Sequence, residues 1–220
     1  MPGTPQTNAQ LITLLAAGML VMQLLMVAQR QLLTNIRLFG LQSLLLAGIA
    51  ATAAFVNHAP HVYVMAALTV AGKVLFLPWF LHRLVRRIGI GQEMHPWINP
   101  PTSMLLCGGL TLLGYVVARP FSIAASGANT FGVAMALVLT GFFLLINRRR
   151  AITQVLALLS AENGLFLAAI SLTAQGMPLV VELGIFFDLF IAVMVLGILV
   201  FRIRATFATT DVNQLNRLKG

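Results

Sequence analysis

Charge is what this chain has least of. Only 9% of its 220 residues are charged, and just five of them are acidic. Mean hydropathy is +0.94 and 59% of the residues are hydrophobic, which is far from the composition of a soluble globular domain. The single cysteine, Cys107, lies inside an apolar run, so an intramolecular disulfide and a cysteine-based metal site are both excluded. There is no phosphate-cradling glycine loop, nucleophile elbow or HExxH pair, and the chain is poorly equipped to be a catalyst by itself. His58, His61, His82 and His95 fall at span ends or in connections, and they give no inward pair at matched depth for haem. The first ten residues carry no charge and lack the basic region of a secretory signal, so the first span is expected to stay as an anchor.

What the chain does have is long apolar runs. A bilayer core is crossed by about 20 apolar residues in helical form, and seven such runs stand out: Leu11–Ala28, Leu38–Val56, Val62–Leu81, Thr102–Ala118, Ala128–Ile146, Ile152–Leu172 and Leu179–Phe201. Breaker chemistry separates them at Asn57-His58-Ala59-Pro60, His95-Pro96, Pro100-Pro101, Arg119-Pro120 and Gly176-Met177-Pro178. Pro78, inside the third run, is expected to kink it. The expected fold is therefore all-α, a polytopic membrane bundle of about seven helices. Residues 1–101 form a three-helix part with a cytoplasmic loop at 82–101, and residues 102–220 a four-helix part.

Orientation follows from the basic residues. Arg30, Arg37, Arg83, Arg86, Arg87, Arg148, Arg149, Arg150, Arg202, Arg204, Arg217 and Lys219 all fall on one side of this arrangement, and Arg119 alone on the other. The positive-inside pattern puts the N-terminus outside and the C-terminus in the cytoplasm. It also accounts for the net charge of +9 through topology and contact with anionic lipid, with no role for nucleic acid.

Leu44-Leu45-Leu46-Ala47-Gly48-Ile49 resembles Leu165-Phe166-Leu167-Ala168-Ala169-Ile170, with Thr52-Ala53 in step with Thr173-Ala174. Each copy precedes a span with an embedded charge, Lys73 in one and Asp188 in the other. Parallel repeats of this kind occur in transporters, and low-complexity apolar sequence also produces such matches by chance.

Lys73, Glu162 and Asp188 are the candidate functional residues. A charge at the centre of a membrane helix costs about 2.5–3.5 kcal/mol on insertion scales, and such groups are rarely idle. Glu162 is deep in the sixth span within Ser160-Ala161-Glu162-Asn163-Gly164. It is either a protonatable group in an ion path or an interhelical hydrogen-bond clamp. Asp188 lies at similar depth in the seventh span, which permits a relay between the two or a shared cation. Glu182, six residues earlier, is an outer access point or an interfacial residue. Lys73 pairs with a carboxylate of this chain or faces an acid on another subunit, being too deep to snorkel. Gln23 and Gln42 are expected to hydrogen-bond between helices.

These residues also carry a resemblance. Arg149-Arg150-Ala151-Ile152 leading into Leu158-Leu159-Ser160-Ala161-Glu162-Asn163-Gly164 resembles the basic loop and acidic helix of the smallest membrane subunits of complex I and of Mrp-type antiporters. Glu182-Leu183-Gly184-Ile185 with Asp188, the tail Asp211-Val212-Asn213-Gln214-Leu215 and Leu218-Lys219-Gly220, and Lys73-Val74-Leu75 with Pro78 are similar to component E of hydrogenase-4, a membrane subunit of formate hydrogenlyase-type complexes. The resemblance covers nearly the whole chain, the last three spans matching the complex I subunit. It implies that Glu162 stands where that subunit carries its first essential intramembrane glutamate, with Asp188 near the second. It further implies antiporter-like and quinone-site-like membrane partners and a peripheral hydrogenase module. The NiFe centre and iron–sulfur clusters would reside in those partners, and no cofactor in this chain.

The function expected is that of a non-catalytic membrane-arm subunit in the bacterial inner membrane, helping to couple electron transfer to proton or sodium movement through Glu162, Asn163, Asp188, Glu182 and Lys73. The alternatives are a stand-alone secondary ion transporter and a structural spacer between pump modules.

Overall fold

The computed structural model describes residues 5–57, 63, 66–67, 69–88, 96–122 and 128–172. Every regular element among them is helical: α1 (Pro5–Ala28), α2 (Leu32–Asn57), a π-helical segment (Val70–Phe76) running into α3 (Leu77–Ile88), α4 (Pro100–Ser122), α5 (Ala128–Asn147) and α6 (Ala151–Leu172). The five helices α1, α2, α4, α5 and α6 are each long and apolar enough to cross a membrane. They correspond to the first, second, fourth, fifth and sixth predicted runs. The third is described in part, and the seventh, Leu179–Phe201, lies outside the described residues.

Element ends differ from hydropathy in an instructive way. The run was expected to begin at Leu38, yet α2 begins at Leu32 and takes Arg37 into its second turn. Arg37 is exposed there, and an exposed arginine near a helix end costs the helix little. Hydropathy marks the apolar stretch of a helix rather than its first turn. Likewise α3 continues through Arg83, Arg86 and Arg87 to Ile88, with Leu81 and Val85 buried on one face. The helix α4 passes through Pro120 and ends two residues later.

The helices pack in a definite order. α1 lies against α2 and α5, α5 lies between α4 and α6, and α2 touches α6 and the π segment. Ala16 and Met19 of α1, Leu46 and Ile49 of α2, Val133, Ala134 and Leu137 of α5, and Leu167 of α6 form one buried apolar core. Without water to expel between helices, close backbone approach is what binds them. Two glycines provide it between α5 and α6. A Cβ at Gly141 would stand 2.7 Å from Ala161 Cβ, and one at Gly164 2.9 Å from the backbone nitrogen of Val138. These approaches bracket Glu162 and Asn163 and fix the helix that carries them.

The two similar stretches found in the sequence lie on α2 and α6, which pack together through Gln42 and Asn163.

A buried ion pair and its amide cluster

Glu162 is eleven residues into the 22-residue α6, so it stands near the middle of a helix about 33 Å long. Its residue exposure is 5%, and that of Lys73 is 7%. Lys73 comes from the π segment, and Pro78 gives the local reason for that geometry. A prolyl ring has no N–H to donate and collides with the carbonyl four residues back. The backbone widens in the turn just before it, and Leu77 N–H reaches back five residues to Gly72 O. The sequence signalled only a kink; the structure puts a π turn there and sets Lys73 within it. π turns inside helices are frequent at functional sites.

The two charges meet. Lys73 Nζ lies 3.3 Å from Glu162 Oε1, an ion-pair distance without hydrogen-bond alignment. Among the described residues neither carboxylate oxygen of Glu162 accepts a hydrogen bond, and both are buried. The aligned bond goes to the neighbouring residue instead: Lys73 Nζ donates to Asn163 Oδ1 at 3.2 Å.

Behind Asn163 lies a cluster of neutral polar side chains, all fully buried: Gln23, Gln42, Ser43, Ser160 and Asn163 itself. Asn163 Nδ2 donates to Ser43 Oγ at 3.0 Å and to Gln42 Oε1 at 3.4 Å. Gln42 Nε2 donates to Gln23 Oε1 at 3.1 Å and reaches Met19 O at 3.5 Å. The Ser160 hydroxyl lies against both glutamine oxygens, 2.8 Å from Gln42 Oε1 and in hydrogen-bond contact with Gln23 Oε1. A polar group in hydrocarbon finds its partners within the protein or pays for their lack. Here side chains of α1, α2, α6 and the π segment bond to one another at one level of the bundle, with Gln23 Nε2 left as a buried donor lacking an acceptor among the described residues.

The predicted site residues Lys73, Glu162 and Asn163 are thus brought together, and Gln23 and Gln42 bond between helices as expected. Asp188 and Glu182 lie outside the described residues. Ser43 escaped sequence reasoning, although the adjacent pair Gln42-Ser43 in mid-span was the available signal. Arg148 was read only as a topology-setting surface charge. It is 2% exposed, and its Nη2 donates to Met26 O at 2.7 Å, Val27 O at 3.1 Å and Gln29 O at 2.8 Å. A guanidinium under the last carbonyls of α1 caps that helix. Among the described residues no group of three His, Cys, Asp or Glu is placed to hold a metal ion.

A multi-helix membrane protein with an ion pair buried among its spans is the class these features define. The comparisons narrow it. The chain is 32% identical over 212 residues to the uncharacterized protein Rv0085 of Mycobacterium tuberculosis, covering 95% of this chain and 96% of that protein. It is 28% identical over 216 residues to hydrogenase-4 component E of Escherichia coli K12, covering 97% of this chain and all of that one, and matches the Shigella flexneri protein of the same name equally. The chain is a homologue of hydrogenase-4 component E. No family model matches it, and no solved structure does.

Proposed function

We propose that this chain is a non-catalytic membrane-arm subunit of a hydrogenase complex, in the bacterial inner membrane, that helps couple electron transfer to proton translocation. Glu162 is the group that takes up and releases the proton, and Lys73 is its counter-charge. The observation that carries the reading is the Lys73–Glu162 pair, 3.3 Å apart and buried on both sides. Removing two charges from water is expensive, and an apolar pair of similar volume would often be as stable. A pair kept there at that cost is explained by a change of charge state. Kinship with hydrogenase-4 component E supports membership in such a complex. On this reading the NiFe centre and iron–sulfur clusters belong to peripheral partners, antiporter-like and quinone-site-like subunits adjoin the chain, and Asp188 and Glu182 extend the ion path.

The test is Glu162→Gln in the assembled complex, in inverted membrane vesicles energised by its electron donor. Electron transfer should persist while dye-reported proton uptake falls severalfold, and uptake of labelled sodium should be unaffected. Undiminished proton uptake at unchanged complex content would instead identify a spacer subunit. Loss of sodium uptake would replace the proton as the ion moved.

A further inference from the structure

Lys73 places its aligned hydrogen bond on Asn163 and leaves Glu162 as a neighbour in charge only. A lysine ammonium has donors and no acceptor, so the side of the Asn163 amide facing it is the oxygen. That choice propagates. The Asn163 nitrogen then faces away, and it meets two acceptors, Ser43 Oγ and Gln42 Oε1. Gln42 in turn presents its nitrogen to Gln23 Oε1. Three side-chain amides on α6, α2 and α1 therefore run head to tail, every oxygen directed back toward Lys73. Oriented amide dipoles stabilise the charge at which their oxygens point, and hydrogen bonds in series strengthen one another in a low dielectric.

We propose that the chain Asn163–Gln42–Gln23 keeps Lys73 charged whatever the state of Glu162, so that Lys73 is the fixed charge and Glu162 the proton carrier. The inference rests on the translocation reading above and divides the labour within that site. When Glu162 takes a proton on its carboxylate, Lys73 keeps its three protons and its bond to Asn163 Oδ1. When Glu162 releases that proton, the ion pair re-forms at the same distance. Gln42 and Ser43 are positioning residues, acting through Asn163. The other titratable groups on the described elements packed around Lys73 are Arg37 on α2 and His82, Arg83, Arg86 and Arg87 on α3; Glu162 is the acid that faces it.

The experiment compares Gln42→Met, Lys73→Arg and the double variant as assembled complexes in inverted vesicles, with proton uptake per electron pair followed from neutral to alkaline pH. An arginine keeps its charge at any pH proteins survive. Lys73→Arg alone should give a coupling ratio, whatever its size, that does not change between neutral and alkaline pH. Gln42→Met should lose coupling at the alkaline end relative to neutral pH, and the double variant should lose that pH dependence. Rescue by arginine is something a packing defect would not give. Ser43→Ala, which removes only the hydroxyl holding Asn163, takes the place of Gln42→Met if complexes carrying that variant do not assemble. A coupling ratio that falls with pH in assembled Lys73→Arg, an unchanged alkaline limb when the amide chain is broken, or failure of arginine to remove that pH dependence would each overturn the proposal. Glu162→Gln is run alongside: if it leaves coupling intact, the translocation reading itself has failed, whatever the other variants do.

Discussion

At the scale of single residues, the buried groups depend on one another more than on their positions. Removing one member of a buried ion pair leaves a charge without compensation and costs about 3–5 kcal/mol. Lys73→Met is expected to lower the thermal unfolding temperature of the detergent-solubilised protein markedly, and Lys73→Met with Glu162→Gln to lower it much less. Equal losses in the two would mean that the pair contributes nothing to stability. Arg148 poses a similar case with backbone acceptors. Its Nη2 meets three carbonyls around the end of α1, and charged hydrogen bonds are each worth roughly 1.5–3 kcal/mol. Arg148→Ala should destabilise the protein by about 3 kcal/mol or more by the same measurement, whereas Arg149→Ala, at an exposed position stacked over the Trp97 ring at 4.0 Å, should cost no more than about 1 kcal/mol.

At the scale of elements, the α5–α6 seam positions the site. The Cβ positions of Gly141 and Gly164 meet backbone and Ala161 in the facing helix rather than the ends of flexible side chains, so a larger residue has nowhere to go. Gly141→Leu is expected to push the helices apart, cost roughly 1–3 kcal/mol and lower the amount of folded protein recovered from membranes. Much of this scale was legible in the sequence. Apolar length located α1, α2, α4, α5 and α6, because a bilayer demands a fixed span of hydrocarbon-compatible residues. Their ends were less legible, since Arg37 and the arginines of α3 sit comfortably in exposed helical turns. The π turn was hidden for a different reason: Pro78 announces that α geometry must yield nearby, yet says nothing of whether the backbone bends or widens.

At the scale of the whole molecule, the inside and outside of the bundle are set by which helix faces meet, and hydropathy is nearly blind to that. Leu137 is fully buried, while Leu105 is 78% and Leu112 70% exposed on α4, though all three are leucines in apolar spans. Sequence could therefore single out Glu162, Asn163 and Lys73 as costly groups without determining that Lys73 would meet them. In the isolated protein Leu112→Trp should leave the folded yield unchanged, and Leu137→Trp should reduce it severely. A yield lost equally in both would mean that α4 is enclosed on its outer face as well.

The Lys73–Glu162 contact also has a history written into chain order. Lys73 precedes Asn163 by 90 positions, so the ribosome delivers the lysine to the membrane well before either of its partners exists. For that interval the ammonium of Lys73 lacks Glu162, and a lysine at a helix centre is a burden of about 2.5–3.5 kcal/mol on insertion scales. The segment is expected to be held firmly only once α6 arrives to receive it. A nascent chain halted before α6 should therefore leave its lysine-bearing segment open to extraction or proteolysis, an outcome that would make the arrival of Glu162 and Asn163 a step in the making of the protein.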